Sequence, residues 1–205
     1  MCSVSATRRV GVVFALSGWL TAGLCVSLLI RVGLGVAPYD VFNTGFARTS
    51  GISPGLASVI TGMVTIVVAR LFGLKMRWGS LVGLFLVGVF IDFGLVLWPH
   101  MTSLAAPVRL GVAAVALCGL WLAISLIVVG AQGASGPDLL MVALCAKGLA
   151  VAPVRLGIEV VFVTGGWLLG GDFGVATLAF ALASGPVLAT SIPKVRKWFH
   201  SLLLA

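Results

Sequence analysis

The apolar positions of the chain fall into six long runs, roughly 9–30, 54–71, 79–98, 108–130, 153–170 and 174–191. Each is close to the ~20 residues that an α-helix needs to cross a ~30 Å hydrocarbon core. Helix punctuation brackets the last four: Lys75-Met-Arg-Trp, Pro107, Pro153 and Gly170-Gly171-Asp172. Two further apolar segments, roughly 38–49 and 137–149, are shorter. Each opens on proline close to aspartate, at Pro38-Tyr39-Asp40 and Pro137-Asp138, and ends near a glycine, Gly51 or Gly148. Proline at the start and glycine just past the end is the asymmetry of a short helix. An aspartate beside that proline can cap the free amides of the first turn. A dozen helical residues cover only ~18 Å, so both segments are expected to be re-entrant half-helices.

Composition agrees with the pattern. The chain is 60% apolar and 9% charged over 205 residues, with a mean hydropathy of +1.23. A soluble domain of this size carries about a quarter charged residues. No polar linker interrupts the runs, so a single membrane domain over 1–205 is expected. The net charge of +8 does not point to nucleic acid, because the basic residues sit at the ends of apolar runs. That placement matches positively charged cytoplasmic loops and contact with anionic headgroups. Cys2, Cys25, Cys118 and Cys145 form no CxxC pair and read as small packing residues. The first run is too long for a signal-peptide core and has no cleavage site, so it reads as a retained span.

With the short segments re-entrant, both termini are cytoplasmic. Arg8, Arg9, Arg70, Lys75, Arg77, Lys147, Arg155, Lys194, Arg196 and Lys197 then lie inside, and Arg31, Arg48 and Arg109 outside. If both segments spanned, the dense loop of Arg70, Lys75 and Arg77 would face outward, against the positive-inside rule. The halves also repeat at an offset of 97 to 99 residues: Gly35 with Gly133, Pro38 with Pro137, Asp40 with Asp138, Gly51 with Gly148, Gly73 with Gly170, Ser80 with Thr177, Gly88 with Gly185. Three spans per repeat (about 9–98 and 108–191) invert the second half relative to the first. The expected fold is therefore all-α, polytopic, with six transmembrane helices as two inverted three-span repeats. Their half-helices would meet near the midplane, as in transporters built from inverted repeats.

Blocks along nearly the whole chain carry a resemblance. In the first half they are Gly33-Leu-Gly-Val-Ala-Pro-Tyr-Asp40, Thr-Ser-Gly51-Ile-Ser, and Trp-Gly-Ser80 through Gly88-Val-Phe-Ile-Asp92. In the second they are Gly136-Pro-Asp138-Leu-Leu-Met, Val-Arg155-Leu-Gly-Ile-Glu159, Gly166-Trp-Leu-Leu-Gly-Gly171 and Gly174-Val-Ala-Thr177 with Gly185-Pro186. On these blocks the chain resembles the YczE/YyaS/YitT family of bacterial integral membrane proteins, closest to the YczE branch. The resemblance implies a multi-pass bacterial inner-membrane protein and brings no settled activity.

Ionisable groups inside a bilayer are costly and often functional. Asp40 and Asp138 at the half-helix starts can cap, or can line a cavity and bind a cation, a proton or a polar solute. Arg155 and Glu159, four apart, share one helix face and can pair or grip substrate; their repeat partners are Ser58 and Gly62. Asp92 lies well inside the third span. Arg31, at the outer end of the first, is expected to pair with Asp40 or Asp92 or to anchor to headgroups. Asp172 reads as a turn residue. The expected site is a polar cavity bounded by Pro38, Asp40, Pro137 and Asp138, with Asp92, Arg155 and Glu159 on its walls.

No metal-ligand spacing, phosphate loop or dinucleotide fingerprint occurs, so neither a metal nor a cofactor is expected and no catalytic residue is assigned. An intramembrane aspartyl protease is disfavoured, because the second site reads Gly-Pro-Asp138 and not Gly-x-Gly-Asp. The expected function is a transporter or channel-like protein for a small polar or charged solute. The alternative is a non-transporting membrane factor that assists a partner protein. The expected partners are the lipid bilayer, a small solute or ion, and a membrane partner or a second copy of the chain.

Overall fold

The computed structural model describes residues 2–74, 77–130, 133 and 135–204. Lys75, in the basic loop after the second apolar run, and Ala134, before the second short segment, lie outside the described residues, as do the side chains of Cys2 and Arg8. Eight α-helices account for nearly all described residues: α1 Cys2–Val32, α2 Pro38–Ser50, α3 Pro54–Leu71, α4 Trp78–Leu97, α5 Ala106–Gly130, α6 Gly136–Cys145, α7 Val151–Leu168 and α8 Val175–Leu204. In lipid a helix satisfies its own backbone, which is why an apolar chain adopts this form throughout. Six helices are long and apolar enough to span; α2 and α6 are the short ones. Outward side chains such as Leu71, Val96 and Leu182 are more than 80% exposed, which suits a lipid-facing surface. The chain is a multi-pass helical membrane protein.

Three boundaries differ from the sequence reading. α6 stops at Cys145 and not near 149, because the amides of Lys147 and Gly148 donate back only three residues, to Leu144 O and Cys145 O, and Gly148 takes φ +94°. α1 begins before residue 9. α8 runs on through Pro186 and Pro193; each proline removes one backbone bond but need not end a helix whose neighbours hold it.

Helices α4, α1, α5 and α8 form a row. Small residues set its close contacts: Gly23 on Phe90 and Ile91, Gly94 on Ser27, Gly18 on Ala123 and Ile127, Gly130 on Ala15. With little hydrophobic drive between helices in lipid, such close approach is what holds them. These pairings make α1 parallel to α4 and antiparallel to α5. Ser125 Oγ and Ser191 Oγ, 2.7 Å apart, tie α5 to α8. Phe14 of α1 lies against Trp198 and Phe199 of α8, so both chain ends occupy one face, called here the terminal face. The core is centred on Leu29, Val32, Val36, Val41, Ile91 and Ala123.

The other four helices form a closed ring beside this row: α2 packs on α3, α3 on α6, α6 on α7 and α7 on α2. α3 is antiparallel to α4, with Gly55 against Gly88 and Gly62 against Leu84. α3 also packs along α4, whereas α7 makes no comparable contact with α8. The linkers cross between halves. Gly35, at φ +101°, lies on Gly174 and Thr177, and its flanks bond Val36 N–H to Asp172 O and Ala176 N–H to Leu34 O. Reciprocally, Gly133 lies on Ser80 at the start of α4.

At the face opposite the termini, three arginines serve helix ends. Arg31 donates to Leu95 O and meets His100. Arg109 donates to Val32 O and Gly33 O, both at 3.1 Å. Arg48 donates to Gly170 O and pairs with Asp172. A cation on the last carbonyls of a helix offsets its negative dipole end. Arg31 therefore pairs with neither Asp40 nor Asp92, and Asp172 is an ion-pair partner as well as a turn residue.

Candidate functional site

Inside the ring, α3 presents a buried polar stripe: Ser58, Thr61, Gly62 and Thr65. Their spacing of three, four and seven puts them on one helix face. Gly62 stands at the middle of α3, eight residues after Pro54, so its depth is near the midplane of a span. Both short helices bring their N-terminal ends to it. From α2, Tyr39 Oη donates to Ser58 O at 2.9 Å and would lie 3.0 Å from a Cβ on Gly62. From α6, a Cβ on Gly136 would sit 2.9 Å from Gly62 O and overlap Thr65 Oγ1. A Cβ at Gly136 would clash with α3 itself, and one at Gly62 would clash first with Leu84 of α4. The two proline-led helix starts thus converge on one glycine.

α7 supplies the facing wall. Phe162 meets Tyr39 edge-on at 5.2 Å and Phe42 at 5.7 Å. Glu159 is one turn earlier on α7, and its Oε1 accepts from Arg155 Nε at 3.1 Å. The pair is half-exposed, at 41% for Arg155 and 22% for Glu159.

Asp40 is buried, and its carboxylate accepts from Asn43 Nδ2 at 3.2 Å. No cation reaches it among the described residues. It is not the cap of α2: Ala37 precedes the helix without a side-chain bond. Asn43 Oδ1 on α2 and Thr61 Oγ1 on α3 are buried with no hydrogen-bond partner. Buried polar atoms are normally satisfied, so such orphans call for an explanation. Asp138 is half-buried and works locally. Ser135, one residue before α6, accepts from Asp138 N–H and donates to Asp138 Oδ2 at 2.6 Å. Ser135 is therefore the N-cap of α6, and Asp138 braces the capping hydroxyl and does not itself cap the helix.

Pro38 and Pro137 open their helices as expected, in the first turn of each. Asp92 is not at this convergence. Its carboxylate accepts from Ser53 Oγ at 2.6 Å and Gly55 N–H at 2.8 Å, about 10 Å along α3 from Gly62. The structure thus brings Pro38, Asp40 and Gly136-Pro137-Asp138 toward one ring with Glu159 on its wall, and sets Asp92 apart. The residues the sequence reading passed over are Asn43, Thr61, Gly62 and Thr65. Their signal was a run of small and hydroxyl residues at helical spacing inside an apolar span.

Comparison with known proteins agrees with the resemblance. A family of unknown function, DUF6198, matches residues 8–193. The chain is 30% identical over 186 residues to an uncharacterized membrane protein, YczE, of Bacillus subtilis, across 88% of this chain and 85% of that one. It is 27% identical over 176 residues to an uncharacterized protein of Haemophilus influenzae, across 85% and 78%. No solved structure matches.

Proposed function

We infer, for a chain that belongs to the DUF6198 family of unknown function, that it is a transporter or channel-like protein for a small polar or charged solute. The observation that carries this reading is the ring of α2, α3, α6 and α7 with two helix N-termini converging on Gly62 at mid-span. Helix N-termini are electropositive, and the ring adds two acids, Asp40 and Glu159, and two orphaned oxygens. Polar groups at membrane depth are tolerated where they are buried in protein or line a watery path.

In this reading the chain is two inverted repeats, each with a re-entrant half-helix, in a bacterial inner membrane with both termini cytoplasmic. Several features support it. α2 joins α1 to an antiparallel α3, so the chain before and after it belongs to one face. Gly35 on Thr177 and Gly133 on Ser80 are reciprocal contacts of matched repeat positions. Arg70, Arg77, Lys194, Arg196 and Lys197 lie toward the terminal face, and the positive-inside rule makes that face cytoplasmic. We assign no catalytic role to the residues of the ring.

The test uses proteoliposomes loaded with the pH dye pyranine and given proton, sodium or potassium gradients. Flux through the wild-type chain, and its loss in Asp40→Asn and Glu159→Gln variants that still fold, is expected. Wild-type flux from both variants, or none from the wild type, overturns the reading. One observation favours a second reading, a membrane factor that assists a partner. α7 lacks the neighbour that α4 provides for α3, leaving an apolar face with Leu156, Val161 and Leu168 exposed.

A further inference from the structure

The described cations divide by what they touch. At the face opposite the termini, Arg31, Arg48 and Arg109 all hold helix-end carbonyls. At the terminal end of α8, Lys194, Arg196 and Lys197 have no acidic partner among the described residues, whose ion pairs are Arg48 with Asp172 and Arg155 with Glu159. Folding consumes the first set and leaves the second free.

Two of these, Arg196 and Lys197, border a shallow groove of about 570 Å³ lined also by Ile192, Pro193, His200 and Ser201. Its polarity is graded along the helix. Ile192 and Pro193 come first, and the cations and His200 follow toward the chain end. α8 has 30 residues, or ~45 Å, against a hydrocarbon core of ~30 Å. Its last ten or so residues therefore stand at headgroup level. The groove's apolar end points toward the acyl region and its cationic end toward water. Exposed Trp198 and the buried Phe199 beside it suit an interfacial belt. His200 Nδ1 is committed to Arg196 O at 2.7 Å, which turns Nε2 away from its own helix. Arg9, near the start of α1, is exposed at the same end.

We propose that this groove is a binding site for an anionic phospholipid, with the headgroup phosphate on Arg196 and Lys197 and an acyl chain along Ile192 and Pro193. Charge complementarity argues for an anion, and the apolar-to-cationic gradient at headgroup depth argues for a lipid over free phosphate. The site is separate from the ring of α2, α3, α6 and α7 and does not depend on transport.

The experiment is native mass spectrometry of the full chain released from detergent, titrated with phosphatidylglycerol or phosphatidylcholine. Phosphatidylglycerol is expected to be retained at lower concentration. Each cation removed weakens that retention about fivefold, so Arg196→Gln/Lys197→Gln loses about 25-fold. Arg70→Gln/Arg77→Gln, on the same face but outside the groove, retains it. If the double variant does not fold, the single variants Arg196→Gln and Lys197→Gln carry the same comparison. Equal retention of the two lipids, undiminished retention in the groove variants, or full displacement by inorganic phosphate overturns the proposal.

Discussion

Asp92→Ala tests how α3 is locked to α4. Asp92 sits on α4 but serves the start of α3, accepting from Ser53 Oγ at 2.6 Å and from Gly55 N–H at 2.8 Å. Ser53 Oγ in turn accepts from Leu56 N–H at 3.2 Å, so one carboxylate completes the cap of a neighbouring helix. Gly55 lies against Gly88, so its amide cannot turn to water once the carboxylate is gone. A hydrogen bond to a charged group contributes about 1.5–3 kcal/mol. Ser53 is partly exposed and recovers some of its loss. The expected cost of Asp92→Ala is therefore about 2–3 kcal/mol. Asp92→Asn keeps an acceptor for Gly55 and loses the charge at a helix N-terminus, for about 1 kcal/mol. Ser53→Ala costs about 1 kcal/mol as a lost cap. The double variant should fall short of additivity by at least ~0.5 kcal/mol, because the first change removes part of what the second removes. The assay is unfolding of the full chain in mixed micelles titrated with dodecyl sulfate and read by circular dichroism. An Asp92→Ala variant within ~0.5 kcal/mol of wild type, or strict additivity with Ser53→Ala, refutes the shared cap. Loss of flux at unchanged stability would return Asp92 to the solute path.

Two further outcomes follow from the same geometry. Glu159→Gln leaves Arg155 alone on α7 and should lower the folded yield, and adding Arg155→Gln should partly restore it, as read by size-exclusion chromatography. The loss should stay below the ~3–5 kcal/mol of a fully buried pair, because Arg155 is 41% exposed; normal yield from both single variants would show the pair to be dispensable. Single cysteines at Arg77 and Ser201 in a cysteine-free chain should react with an impermeant maleimide only from the cytoplasmic side, and one at Arg48 only from outside; labelling of Arg77 and Arg48 positions from the same side would overturn the topology.

The order and type of the helices were legible in the sequence because lipid imposes a one-body condition. Any run of about twenty apolar residues must be helical and must span, and 38–49 was too short whatever it touched. The starts of the two short helices were legible too, since proline fixes its own backbone angle. A polar group's partner is different, being a property of two positions. Asp92 finds Ser53 across 39 residues, and Arg48 finds Asp172 across 124; no local pattern encodes either. The same holds for Arg31, whose carbonyl acceptor at Leu95 replaced the aspartates expected from charge alone. The tertiary structure decided which glycine both short helices meet. Gly62 looks like any other packing glycine in the chain, and only the packing of the helices brings Tyr39 of α2, Gly136 of α6 and Leu84 of α4 against it.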